Sequence, residues 1–184
     1  LVDIATGGGN IAIDGNGPDG VTVVYSDLSS DGGNITIHGD GIYSGAYFHD
    51  TTIDSADGDI AISGSASQDV DGYYPFGVAL AGTTLTSTTG DISVVGDAIG
   101  GSGIIFWTPG SIAPAITTTS GTIMLTSTGA NGLGLEGLGI ATDTGDITIV
   151  GNATDVDATA AVFVSSSGLQ TNGGDIAITG TTAG

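Results

Sequence analysis

The chain has 184 residues, of which 20 are acidic and none is Lys, Arg or Cys, so its formal net charge is −20 with both histidines neutral. Without fixed positive charge it cannot neutralise phosphates, which excludes nucleic-acid binding and disfavours anionic membranes; without Cys it has neither disulfides nor thiolate metal sites. No apolar run approaches the roughly 18 residues of a membrane span, so we expect no membrane insertion, and a hydrophobic content of 39% favours a folded chain over an acidic disordered one.

The first predicted elements are three short segments in which apolar residues alternate with polar ones. A segment around Ile4 is followed by Gly9-Asn10-Ile11-Ala12-Ile13, and then by Val21 and Val23. Apolar residues at i and i+2 are typical of a β-strand with one buried face. The Gly, Asp, Thr and Ser residues between the segments favour tight corners.

The same three segments return along the whole chain. The pattern Gly–polar–Ile–x–Ile, or a close variant, begins at Gly9, Gly33, Gly58, Gly90, Gly121, Gly145 and Gly174. An apolar residue stands five positions before each of these glycines: Ile4, Leu28, Ile53, Leu85, Ile116, Ile140 and Leu169. Upstream of these apolar residues stands an alternating apolar pair, such as Val21 and Val23, whose second member lies five positions before the apolar residue. The exception is the unit in which about five extra residues separate Phe106 from Ile116.

These constant spacings, within units of different length, predict a solenoid. The units run from 24 to 32 residues, counted from one recurring Gly to the next. A β-sandwich has no need of constant spacings, whereas a solenoid requires them because each strand stacks on its equivalent in the next coil. We therefore predict an all-β fold, a parallel β-helix (β-solenoid) of about seven coils with three strands per coil. Residues 1–184 form one solenoid domain or a segment of a longer solenoid.

The stretch from Gly77 to Gly96 carries the repeat in its most complete form. It reads Gly-Val-x-Leu-x-Gly-x-x-Leu-x-Ser-x-x-Gly-Asp-Ile-x-Val-x-Gly. This pattern resembles the β-helical repeats of filamentous-haemagglutinin-type proteins, which are giant bacterial surface proteins and adhesins. The resemblance covers the whole chain and implies a stalk of stacked coils.

Candidate ligand-binding residues gather near one corner of the predicted coil. The linker after the Gly–polar–Ile–x–Ile strand varies most in length, and eight of the ten aromatic residues lie near it. Insertions in a solenoid accumulate on one face, often the binding face. The predicted ligand-binding residues are Tyr43, Tyr47, Tyr73, Tyr74 and Trp107, with a carbohydrate or surface ligand as the partner. Phe48, Phe76 and Phe106 are expected to fill the coil interior.

No motif requires a cofactor, but so acidic a surface attracts cations, and calcium is the candidate. The predicted cation ligands are Asp14, Asn16, Asp19, Asp69 and Asp71. A column of Asn and Asp residues is also expected after the recurring glycines, with Asp59 and Asp91 about 4.8 Å apart. Like charges at this distance repel, and a bound cation or raised pKa values would relieve the repulsion.

The sequence favours a structural protein over an enzyme. The fold resembles that of pectate-type lyases, but those need a Lys or Arg that this chain lacks, and acidic pairs such as Asp155 with Asp157 are typical of turns. We expect an extracellular or cell-surface solenoid that forms a filament, sheath or adhesin stalk. Because neither end shows a recognisable cap, the expected partner is another copy stacked head to tail, or a continuation of the same chain. The alternative is a binding module for carbohydrate or another surface ligand, with surface glycans as partners.

Overall fold

The computed structural model describes residues 2–68, 74–108 and 113–184. Its twenty strands are β1 Val2–Thr6, β2 Ile11–Gly17, β3 Val21–Val24, β4 Ser26–Ser30, β5 Ile35–Gly41, β6 Ser44–His49, β7 Thr52–Asp54, β8 Ile60–Ala66, β9 Phe76–Ala81, β10 Thr84–Thr86, β11 Ile92–Ala98, β12 Ser102–Trp107, β13 Ala115–Thr117, β14 Ile123–Gly129, β15 Leu133–Glu136, β16 Gly139–Thr142, β17 Ile147–Ala153, β18 Val162–Ser165, β19 Gly168–Thr171 and β20 Ile176–Thr182. None of the described segments forms an apolar helix of membrane-spanning length.

The strands form three parallel sheets, and each coil adds one strand to each sheet in turn. Sheet A has the order β1-β4-β7-β10-β13-β16-β19, sheet B the order β2-β5-β8-β11-β14-β17-β20, and sheet C the order β18-β15-β12-β9-β6-β3. This confirms the predicted parallel β-solenoid with three strands per coil. Within the described residues there are six complete coils and two further strands, slightly fewer than the seven coils predicted, because sheet C has six strands where the other sheets have seven.

The core consists of aliphatic ladders that run along the solenoid axis. In sheet B, Ile35 pairs with Ile60 and Ile60 with Ile92, and all three are completely buried. Each fully buried side chain of this size contributes about 1.5–3 kcal/mol of hydrophobic free energy. Phe48 and Phe106 lie in the ladder of sheet C and are buried, as predicted. The alternation seen in the sequence therefore places the core correctly.

The recurring glycine is explained by close approach between coils. A Cβ atom on Gly58 would lie 2.3 Å from the carbonyl oxygen of Gly33 in the preceding coil, and one on Gly90 would lie 2.0 Å from that of Gly58. Real Cβ atoms do not approach backbone oxygen so closely, so any side chain would force the coils apart. The glycine column sets the spacing at this corner.

A column of buried hydroxyls joins the coils at the same corner. These residues stand three positions before the recurring glycines: Ser30, Ser55, Ser87, Thr118 and Thr142 are buried, and Thr171 is partly buried. The Ser87 hydroxyl donates to the carbonyl of Gly58 in the preceding coil at 3.0 Å and accepts the N–H of Gly90 at 3.0 Å. Thr118 makes the same two bonds with Gly90 and Gly121, each at 3.2 Å. Polar groups that would be costly to bury are thus paired.

The two end faces of the stack differ from its middle. Ile147 and Ile149 are fully buried, whereas their register partners on β20, Ile176 and Ile178, are 44% and 50% exposed. At the opposite face Ile4 on β1 is also exposed. Both end faces therefore present apolar ladder residues and an unpaired strand edge.

Candidate functional site

Three aromatic rings meet on the outer face of sheet C. The ring centroids of Tyr47 and Trp107 are 6.1 Å apart and their planes are nearly parallel, at 18°. Phe76 lies 6.0 Å from Tyr47 and 6.5 Å from Trp107. The structure thus brings together two predicted ligand-binding residues that are far apart in the sequence, and it adds a third ring.

Strand register and two small residues explain this cluster. Tyr47 is on β6 and Trp107 on β12, with β9 between them, so their strands are about 9.5 Å apart, and Trp107 lies two register positions further along. Ala79 of β9 pairs with Tyr47, and Ala81 pairs with Trp107. Both alanines lie on the outward-facing side of β9, yet both are completely buried. A larger side chain at either position would separate the rings.

A groove lies beside the rings. We name it the aromatic groove. Its cavity of about 400 Å³ is lined by Asp19, Thr22, Ser44, Tyr47, Phe76 and Trp107. The Ser44 hydroxyl is 3.3 Å from the Asp19 carbonyl oxygen and 3.5 Å from its carboxylate, and so holds the turn that carries Asp19 against the sheet. The groove therefore combines an apolar wall with one carboxylate and two hydroxyl groups.

A hydrogen-bonded network holds the hydroxyl group of Tyr47. Its hydroxyl is 2.9 Å from Nδ1 of His49, whose Nε2 is 3.4 Å from the Tyr25 hydroxyl and 3.5 Å from the Asp50 carboxylate. Burial raises the pKa of Tyr47, and electrostatic interaction with Tyr25 and Asp50 raises it further. A phenol is neutral at physiological pH in any case, and the contact with His49 gives the Tyr47 hydroxyl a fixed position.

The other predicted aromatic residues lie elsewhere. Tyr43 lies in the corner before β6, Tyr74 is 80% exposed before β9, and Tyr73 lies outside the described residues. The expectation that Phe76 fills the coil interior was wrong. Phe76 precedes Gly77, where a Cβ would lie 2.3 Å from the backbone nitrogen of Asp97, and its ring contacts Tyr47 and Trp107 on the outer face. The pairing of β9 with both neighbouring strands is interrupted at Gly77, so the in–out alternation of β9 does not extend back to Phe76.

The predicted cation ligands occupy three different places. Asp14 and Asn16 are exposed on β2, Asp19 lines the aromatic groove, and Asp69 and Asp71 lie outside the described residues. Across residues 2–68, 74–108 and 113–184, no three His, Cys, Asp or Glu side chains are placed to hold a metal ion together. Calcium binding stays a prediction.

The column after the recurring glycines forms hydrogen bonds between coils. Oδ1 of Asn34 accepts the backbone N–H of Asp59 at 2.9 Å, and Oδ1 of Asp91 accepts that of Thr122 at 2.7 Å. Asn10, Asp59 and Asp146 accept a backbone N–H of the next coil in the same way. These amide dipoles partly offset the expected repulsion between stacked carboxylates.

Sequence reasoning missed a polar cluster on the outer face of sheet B. His38 Nδ1 is 2.9 Å from the Ser63 hydroxyl, and His38 Nε2 is 3.1 Å from the carboxylate of Asp40. The Ser65 hydroxyl donates to the other oxygen of Asp40, and this bond, followed by that from His38, lowers the pKa of the Asp40 carboxyl. The signal was present, because His38 and Ser63 both stand five positions after a recurring Gly. Both groups of the His38–Asp40 pair are nearly half exposed, which is typical of a solvated surface pair.

The regularity of this stack identifies the architecture without assigning a family. Comparisons of the chain with protein-family models, curated proteins and solved structures found no match.

Proposed function

We propose that the chain is a structural protein: an extracellular or cell-surface β-solenoid that builds a filament, sheath or adhesin stalk, in the manner of filamentous-haemagglutinin-type repeats. The observation that carries this proposal is the in-register stack with two open apolar end faces. Each coil contacts only its neighbours, so the same ladders extend to any length without a new kind of contact.

The end faces correspond to one another position by position. On one face, Asp175 and Ile176 stand at the ladder positions that Asn10 and Ile11 occupy on the other. A following coil would cover the exposed Ile176 and Ile178 and would offer an N–H to the Asp175 side chain. That coil belongs either to the continuation of the same chain or to a second copy stacked head to tail. Such a contact is heterologous and does not close, so it gives open fibres rather than rings.

Composition supports the same role. Proteases that cut after Lys or Arg have no site in this chain, and tight glycine corners with paired hydroxyls leave little backbone free for other proteases. A solenoid of this kind is suited to an exposed surface position. Residual susceptibility is expected at the end strands, which are the least covered.

The proposal is tested by sizing native material and viewing it by negative-stain microscopy. We expect rods that either dissociate to single chains in denaturant, as stacked copies would, or stay very large, as one long chain would. For stacked copies, Ile178→Asp places a charge on the end face and should shorten the rods. The matched control is Ala177→Asp, on the outward side of the same strand, which should leave rod length unchanged. A monodisperse single-chain species in native buffer at micromolar concentration overturns both versions.

A further inference from the structure

We infer that the aromatic groove is a binding site for the terminal ring of a neutral glycan. This role goes beyond the proposed structural one and does not depend on it, since the groove lies on the side of the solenoid and not on its end faces. The groove is set by β3, β6, β9 and β12, four adjacent strands of sheet C. A rod that carried it would present the site laterally.

The apolar wall fits the hydrocarbon face of a pyranose. Sugar rings present C–H groups on one face, and these pack against the electron-rich face of an aromatic ring. Tyr47 and Trp107 provide two nearly parallel rings, and Phe76 closes one side of the wall. All three are partly exposed rather than buried, so contact area is available to a ligand.

The polar edge fits the hydroxyl groups of the same ring. The Asp19 carboxylate accepts hydrogen bonds only, and bonds to a charged acceptor are about twice as strong as neutral ones. The hydroxyl of Thr22 can both donate and accept, whereas that of Ser44, whose proton points to Asp19, can only accept. At about 400 Å³ the cavity falls at the lower end of the range for small-molecule sites, which suits a terminal ring.

Charge selects among glycans. Lys or Arg would favour recognition of a sialic or uronic acid, but the chain has neither, and its net charge of −20 repels anions. A quaternary ammonium is the competing ligand, because acidic and aromatic residues also attract cations. Tyr47 and Trp107 lie nearly parallel and form one wall, which differs from the aromatic cages that recognise quaternary ammonium ligands.

The side chains of the aromatic groove are held in place before a ligand binds, so binding needs little ordering of the protein. The rings stand on paired strands, His49 holds the Tyr47 hydroxyl, and Ser44 holds Asp19. Little side-chain freedom is then lost when a ligand arrives.

The test uses the fluorescence of Trp107, which is the sole tryptophan of the chain. The probes are methyl glucoside, methyl galactoside, methyl mannoside and N-acetylglucosamine, with glucuronic acid, sialic acid and choline as comparisons. We expect a saturable change with at least one neutral sugar and none with the acidic sugars. Titration to roughly 50 mM covers the affinities of about 1 mM expected of a single ring.

Variants assign the binding to the groove. Tyr47→Ala and Asp19→Ala should each weaken it at least about tenfold, whereas Tyr47→Phe, which keeps the ring, should change it less than about threefold. Phe163→Ala is the matched control, because Phe163 is an exposed aromatic residue on the outer side of the same sheet. The proposal is overturned if no neutral sugar gives saturation, if choline or an acidic sugar binds instead, or if Phe163→Ala weakens binding as much as the groove variants.

Discussion

The carboxylate of Asp59 accepts the backbone N–H of Asp91, one coil further along the stack, at 2.9 Å. The two stacked carboxylates therefore interact with backbone N–H donors as well as with each other. Asn34 fills the same position one coil earlier and makes the same bond through its amide oxygen. The column therefore selects for an oxygen at fixed reach from the backbone, and charge is secondary.

Two substitutions of Asp91 distinguish the effect of its hydrogen-bonding oxygen from the effect of its negative charge. Asp91→Ala should lower the free energy of unfolding by about 1 kcal/mol, because the N–H of Thr122 loses its partner. Asp91→Asn keeps an acceptor and removes a repulsive charge, so it should be neutral or slightly stabilising. Urea unfolding of both variants checks this, and equal destabilisation by Ala and Asn would contradict it.

The glycine column gives a sharper prediction. Gly90→Ala should destabilise the protein by about 3 kcal/mol or more, since its Cβ would lie 2.0 Å from the carbonyl oxygen of Gly58. Gly139→Ala is the control, because nothing lies within 4 Å of the Cβ it would add. Thermal and urea unfolding should show a large loss for the first variant and little change for the second. Similar stability of the two would mean that the coils separate at no cost.

The architecture could be predicted because its rules are local and repeated. The alternation around Ile60 and its fixed sequence separation from Ile53 place both residues inward. The same alternation and the same separation recur in every coil. The same reasoning failed for Phe76, which stands two residues before the inward Val78 but beyond Gly77, where the pairing of β9 with both neighbours is interrupted. Periodicity identifies a face only while the strand stays regular.

The groove was harder to predict because it depends on residues in different coils. Sequence spacing places Tyr47 and Trp107 on outward positions, but the meeting of their rings depends on Ala79 and Ala81 being small. The His38–Ser63 contact follows from equal distances to a recurring Gly, so alignment of the units would have revealed it. Contacts across two coils need side-chain volumes as well as register.

Asp40 predicts a small dependence of stability on acid. Its pKa is lowered in the folded protein, so its contribution is fully present above the pKa of the unfolded chain and is lost as pH falls through the folded value. The side chain is 46% exposed, so solvent screening keeps this contribution below about 1 kcal/mol.

Removal of the Ser65 hydroxyl should raise the pKa of Asp40 towards its usual range, because that hydrogen bond is the largest cause of the shift. The measurement is an NMR titration of the Asp40 carboxyl carbon in Ser65→Ala. Ser63→Ala serves as the control, since Ser63 contacts His38 and not Asp40. A larger shift in the control than in Ser65→Ala would rule out this assignment.

Net charge predicts that salt stabilises the fold. With a formal charge of −20 and no fixed positive charge, the folded chain repels itself most strongly at low ionic strength. The screening length falls from about 30 Å at 0.01 M to about 8 Å at 0.15 M salt. A gain of about 1 kcal/mol over this range corresponds to a rise of about 2–4 °C in melting temperature. Calorimetry in NaCl measures it, and an unchanged melting temperature would contradict it.

Repeating the scan in CaCl₂ at equal ionic strength tests the predicted cation ligands. Binding at Asp14 would add a further rise that Asp14→Asn removes, and binding at Asp19 one that Asp19→Asn removes, whereas Asp27→Asn should remove neither. Equal melting temperatures in the two salts would leave screening as the whole effect.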